Sequence, residues 1–184
     1  MLEAFRSKAE AVSAEVHVVP DSTAAVDFVL RFLGDAGVAD EPGRGAVWAD
    51  GPLLAGLDRA ALTRRAPGLA FEVTKERAAA ARVGIGEADY GVANTGTLAQ
   101  AADAVATRLV SSLPPIHLAV VRADRLVPDL GALFAVLSPA QTRYLALITG
   151  PSRTADIERV LTIGVHGPER LVIVVVDPGQ QGRR

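Results

Sequence analysis

The chain reads as an α/β domain with a mainly parallel sheet flanked by helices, and three features of the sequence predict this. Tyr144–Ile148 and Leu171–Val176 are near-continuous apolar runs, the pattern of strands covered on both faces. Strand-like and helix-like segments alternate from the first residues onward, as a layered sheet-and-helix domain requires. No repeat, low-complexity block or linker interrupts the order, so residues 1–184 read as one domain.

Taken in order, residues 1–14 suit a short polar helix, and Glu15–Val19 alternates as a strand that ends at Pro20. Ser22 or Thr23 can cap a helix over Ala24–Leu33, with Gly34 as its stop. Ala46–Ala49 is a brief strand closed by Asp50-Gly51, and Pro52 opens a helix that continues over Leu53–Arg65. Leu69–Val73 is expected to be a strand and the alanine-rich Lys75–Arg82 a helix. From Gly84 a glycine-rich loop leads to two short extended pieces, Tyr90–Ala93 and Thr97–Gln100. Ile116–Val121 is a clear strand entered through Pro114-Pro115, and Leu130–Leu137 is a helix candidate. A short helix carrying Asp156 and Glu158 is expected before Gly164, and Gly179–Arg184 reads as a frayed tail.

Composition excludes several classes. The chain has 49% apolar and 22% charged residues and a net charge of -2 with both signs interspersed, which argues against a nucleic-acid or anionic-membrane surface. There is no cysteine, hence no disulfide, no thiolate nucleophile and no thiolate ligand for zinc or an iron–sulfur cluster. Charges at Glu3, Arg6, Lys8, Glu10 and Glu15 break any signal-peptide core, and no segment reaches the roughly 18 apolar residues of a membrane span. The expectation is a cytoplasmic protein. The glycines at 84, 86, 91 and 96 miss the G-x-G-x-x-G spacing, and no lysine follows them, so neither nucleotide-loop reading holds.

Two polar stretches could carry chemistry. In Thr149–Pro168, the Ser152 and Thr154 hydroxyls, the Arg153 guanidinium and the free N–H groups of the expected helix suit a carboxylate or phosphate. The alternative is that Thr154 is only an N-cap and that Asp156 and Glu158 merely suit the helix dipole. Two residues apart on a helix, Asp156 and Glu158 cannot share a face, which weighs against a paired-carboxylate site. His166 lies in a glycine-flanked loop and could act as a base, but one histidine does not make a metal site, and none is expected. In Asn94-Thr95-Gly96-Thr97, hydroxyls and backbone donors could converge on a ligand oxygen, or Asn94 could form a plain Asx turn. His117 sits on a strand opposite the Ile116/Leu118/Val120 face, where it is either a satisfied structural group or a ligand contact.

The combination of ADYGVANTGTLAQ (Ala88–Gln100), TRLVSSLPPIHLAVV (Thr107–Val121) and LITGPSRTADIERVLTIGVHGP (Leu147–Pro168) resembles the LUD domain of lactate-utilisation proteins, in its small C-type form. The resemblance implies the three-layer α/β fold of the ribose-phosphate isomerase, glucosamine-phosphate deaminase and CoA-transferase group. It implies a part in oxidising L-lactate to pyruvate beside partner subunits that carry cysteine-ligated iron–sulfur clusters, with no particular cofactor indicated for this chain. Carried over residue by residue, it points to Thr95, Gly96, Thr97, His117, Gly150, Ser152, Arg153, Thr154 and Asp156 as binding a small carboxylate or a cofactor. Arg153 would be the anion clamp, and His166 or Glu158 the proton acceptor. The family commonly has glutamate before Thr-Gly-Thr, where this chain has Asn94, whose amide cannot serve as a base near neutral pH. The competing expectations are a non-catalytic scaffold subunit and an independent isomerase or acyl-transfer enzyme of the same fold group.

Overall fold

A computed structural model describes residues 1–138, 140, 142–155, 161–163 and 167–179. Helix α1 (Leu2–Ala11) precedes strand β1 (Glu15–Val19), and helix α2 (Ser22–Asp35) follows it. Asp21, not Ser22 or Thr23, caps α2, its carboxylate accepting the Ala24 N–H at 2.8 Å. Strand β2 (Gly45–Trp48) leads to a 3-10 turn over Pro52–Leu54 and to helix α3 (Arg59–Arg65). The single helix expected across Leu53–Arg65 is therefore broken, at the point where Gly56 adopts φ +79°. Strand β3 is only Leu69–Ala70, and helix α4 (Lys75–Ala80) runs directly into strand β4 (Ala81–Glu87).

Strand β4 corrects the reading of a helix to Arg82 followed by a loop. Its glycines are there because other elements press on the strand: a Cβ on Gly84 would lie 2.0 Å from the Val110 carbonyl oxygen. Val110 belongs to helix α5 (Val105–Ser112), which the sequence reading missed. Beyond β4 come strands β5 (Tyr90–Val92) and β6 (Thr97–Ala101), then α5 and strand β7 (Ile116–Arg122). A 3-10 turn (Ala123–Arg125), strand β8 (Leu126–Val127), helix α6 (Leu130–Val136), strand β9 (Leu145–Ile148), strands β10 (Arg153–Ala155) and β11 (Leu161–Ile163), and strand β12 (Arg170–Val176) complete the described elements.

Six strands form one sheet in the order β1-β12-β7-β4-β2-β3, with every pairing parallel. Its middle strands alternate between two cores with period two. Leu118, Val120, Val172, Val174 and Val176 meet Val29 and Leu33 of α2 on one face. Ala119, Val121, Leu171, Ile173 and Val175 meet Phe5 and Ala9 of α1 on the other. Both faces are thus covered by helices, as the apolar run of β12 requires.

A second sheet, in the order β8-β5-β6-β9, pairs β6 antiparallel with both β5 and β9. Strand β9 therefore lies outside the parallel sheet, and Leu147 is 44% exposed, contrary to the fully covered strand its composition suggested. The short helix expected before Gly164 is not found in its described flanks, because Arg153–Ala155 pairs antiparallel with Leu161–Ile163. Thr154, Thr162 and Ile163 are β-branched, and this stiffness favours extended backbone over a helical turn. No helix N-terminus is then offered to an anion at Thr154. Asp156 and Glu158, on which that reading also rested, lie outside the described residues.

Candidate functional site

The two polar stretches meet. Leu98 pairs with Ile148 across β6 and β9, and one residue away on each strand Thr97 Oγ1 lies 2.8 Å from Thr149 Oγ1. Thr97, 5% exposed, also donates to Thr95 Oγ1 at 2.8 Å. A hydroxyl has one proton, so Thr149 must be the donor in its contact with Thr97, which leaves the Thr149 oxygen as an acceptor. Antiparallel strands of the second sheet bring the loops together, rather than parallel strands opening on one edge.

Beside this contact is a pocket of about 240 Å³. It is lined by His117 and Leu171 near the amino ends of β7 and β12, by Ser111 and Ser112 at the end of α5, and by Leu147–Ser152 and Gly167-Pro168. The Ser152 N–H donates to the Pro168 carbonyl at 2.8 Å and ties the two loop segments together. Ser111 donates its hydroxyl to the Thr107 and Arg108 carbonyls at 3.1 and 3.2 Å, and Ser112 donates to Arg108 at 2.5 Å. With those protons committed to the helix, both serine oxygens can only accept. The described lining is neutral and rich in acceptors, and contains no lysine or arginine.

His117 is 1% exposed, with Nδ1 3.2 Å from the Gly84 carbonyl and Nε2 without a hydrogen-bond partner among the described residues. Burial lowers its pKa to about 4, outweighing the Gly84 and Val110 carbonyls, which favour the charged form. At neutral pH it is an uncharged imidazole. A carbonyl only accepts, so in this geometry Nδ1 carries the proton and Nε2 is the bare nitrogen.

Other expected binding residues have structural work. A Cβ on Gly96 (φ +67°) would lie 2.2 Å from the Ala9 nitrogen, and one on Gly150 (φ +73°) 2.3 Å from the Val12 carbonyl oxygen. Both loops are seated on the end of α1 through these glycines. Arg153 does the same: its Nη2 donates to the Val12 carbonyl at 3.0 Å and to Ser13 Oγ at 2.6 Å. It does not line the pocket. The structure thus gathers His117, Gly150 and Ser152 around one cavity, with Thr97 and Thr95 joined to it through Thr149. Gly96 and Arg153 lie against α1, and Thr154 lies on β10. Asp156, Glu158 and His166 lie outside the described residues.

A family model for the LUD domain matches residues 2–176. The chain belongs to the LUD domain family. A lactate utilization protein C of Halalkalibacterium halodurans is 36% identical over 108 residues, which is 55% of this chain and 47% of that protein. A lactate utilization protein C of Macrococcus caseolyticus is 38% identical over 103 residues, 53% of this chain and 45% of that protein. The chain thus spans about half the length of the curated relatives it matches. A crystal structure of a DUF162 family protein from Deinococcus radiodurans superposes with a TM-score of 0.67 at 19% identity, covering 95% of each chain. That likeness shows a shared fold.

Within this LUD domain, sequence reasoning missed Ser111, Ser112 and Thr149. The signal was present in the serine pair directly before Leu113-Pro114-Pro115, which puts two hydroxyls at the end of a helix that feeds the His117 strand. Asn94 is exposed, and its backbone N–H donates to the Pro128 carbonyl at 3.1 Å.

Proposed function

We propose that this LUD domain is a component of a lactate-utilisation system and binds a small hydroxycarboxylate in the pocket beside Thr149. The observation that supports it most is the junction of the two polar loops at Thr97 and Thr149, on the wall of a cavity sized for a few heavy atoms. Family membership and relatives named lactate utilization protein C point to lactate as the compound. The acceptor-rich lining suits a ligand that brings a donor. The hydroxyl of L-lactate would donate to a serine or threonine oxygen, while the ketone of pyruvate would set acceptor against acceptor. Ser152, whose Oγ lies at the pocket near Gly167, would donate a hydrogen bond from its hydroxyl to the carboxylate. Electrons from lactate would pass to partner subunits, because the chain has no cysteine to hold an iron–sulfur cluster.

Calorimetry with L-lactate and pyruvate on the wild type and on Ser152→Ala tests this. The expected result is tighter binding of L-lactate, weakened about tenfold in the variant, as loss of a hydrogen bond to a charged group predicts. Binding of neither compound, alone or in the assembled system, would sink it.

A second reading, a scaffold subunit without a ligand of its own, is favoured by one specific observation. The cation expected to clamp an anion, Arg153, is held on the end of α1. Under that reading lactate-dependent growth tolerates Ser152→Ala.

A further inference from the structure

A carboxylate in the Thr149 pocket would meet no lysine or arginine to hold it, and no aspartate or glutamate to repel it, among the described lining residues. The hydroxyl protons of Ser111, Ser112 and Thr149 and the Nδ1 proton of His117 are already given to acceptors of the protein. Apart from the Ser152 hydroxyl, a donor for the ligand must therefore come from the main chain.

Strand β9 has one to offer. In an antiparallel pair, opposite residues alternate between exchanging main-chain bonds and turning those groups away from each other. The Ala102 N–H donates to the Tyr144 carbonyl at 2.8 Å, so Tyr144, and with it Ala146 and Ile148, direct their main-chain groups toward β6. The far side of β6 shows the complementary half of the pattern. There the Ala99 carbonyl accepts the Asp89 N–H at 2.9 Å and the Ala101 N–H donates to Asp89 Oδ2 at 2.6 Å, so both residues face away from β9. Leu147, opposite Ala99, and Thr149, two residues further on, therefore turn their N–H and C=O groups away from β6. Strand β9 is the last in its sheet, and the Thr149 N–H has no main-chain partner among the described residues.

The pocket abuts this open edge. Leu147 and Ile148 are neighbours on the strand, so their side chains point to opposite faces of the sheet, yet both line the same cavity. A cavity lying on one face alone would meet only one of them. The hydroxyl contact of Thr149 with Thr97 at 2.8 Å holds residue 149 in place, and Ser152 lines the cavity three residues further on.

We propose that the main-chain N–H of Thr149 receives the ligand carboxylate together with the Ser152 hydroxyl, so that the open edge of β9 takes the place of a cationic clamp. This rests on the reading of the pocket as a hydroxycarboxylate site and adds the group that anchors the charge. Hydrogen bonds to an ionised acceptor are about twice as strong as neutral ones, so two fixed neutral donors suit a carboxylate without a guanidinium. The Leu147 N–H lies about 6.8 Å further along the strand, beyond the reach of the same carboxylate. Thr97 acquires a purpose as well: its bond to Thr149 fixes the position of the N–H that binds.

The test is an NMR titration of the full chain with L-lactate and, as a match without the carboxylate, propane-1,2-diol. L-lactate is expected to move the Thr149 amide proton downfield, and the diol to leave it in place. Two variants isolate the N–H: Thr149→Val removes the hydroxyl alone, whereas Thr149→Pro removes the N–H as well, at an edge position where proline is tolerated. Affinity for L-lactate should be about tenfold lower in Thr149→Pro than in Thr149→Val. Should the proline variant fold poorly, as judged from the fluorescence of Trp48, the amide-proton shift of the wild type decides alone. Saturable shifts at Ser152 with the Thr149 amide proton unmoved, or equal affinities of the two variants, would overturn the proposal and leave the hydroxycarboxylate reading standing. No shift at any pocket residue would overturn both.

Discussion

Thr97 and Thr149, 52 residues apart in the chain, share a hydrogen bond of 2.8 Å between their hydroxyls. It joins the Asn94–Thr97 turn to the Thr149–Ser152 loop, and Thr97 passes it on to Thr95. Replacing Thr97 with valine keeps the shape and removes both contacts. Since Thr97 is buried, chemical denaturation is expected to show a loss of about 1–3 kcal/mol. A double-mutant cycle with Thr149→Val should give a coupling of roughly 0.5–1.5 kcal/mol, against near zero for two independent hydroxyls.

His117 makes stability depend on pH in a known direction. Its folded pKa is about 4, against 6.5 for the ordinary group, so the unfolded chain takes up the proton first. Stability is complete above about pH 6.5 and falls as pH drops toward 4, by on the order of 3 kcal/mol over that window. In His117→Asn this dependence should vanish between pH 6.5 and 5, measured as the narrowing stability difference between variant and wild type. A constant difference would mean that the ring is not held neutral by burial.

Two glycines should respond oppositely to alanine. Gly84→Ala drives a methyl group into the Val110 carbonyl and is expected to cost about 1–3 kcal/mol with displacement of α5. Gly34 lies in α2 with nothing within 4 Å of an added Cβ, so Gly34→Ala should stabilise by about 0.4–1 kcal/mol. Thermal unfolding followed by Trp48 fluorescence reads both.

These glycines also mark how far the sequence could be read. Strands β7 and β12 were legible because a strand buried on both faces is apolar at every position. Strand β4 was not: Gly84 and Gly86 look like a loop unless one knows that α5, Gln100 and His117 press on them. A short helix carrying Asp156 and Glu158 is expected before Gly164, but the described residues on either side, Arg153–Ala155 and Leu161–Ile163, pair as antiparallel strands, as their β-branched residues favour. In the site, the polar loops and His117 could be picked out from residue type. The destination of Arg153 could not, because its acceptor Ser13 lies 140 residues away in the chain.

Arg153→Ala follows from that destination. The side chain is exposed and bound to the end of α1, so its loss should lower stability by no more than about 1 kcal/mol. Ligand affinity in the Thr149 pocket should change less than twofold by calorimetry; a loss near a hundredfold would restore the guanidinium as an anion clamp.

The most direct measurement is an amide NMR titration of the intact chain with L-lactate at neutral pH. Saturable shifts confined to Ser111, Ser112, His117, Thr149, Gly150, Ser152 and Gly167 are expected, with pyruvate giving smaller ones. Saturable shifts elsewhere, or none at these residues at millimolar lactate in the presence of the partner subunits, would contradict it.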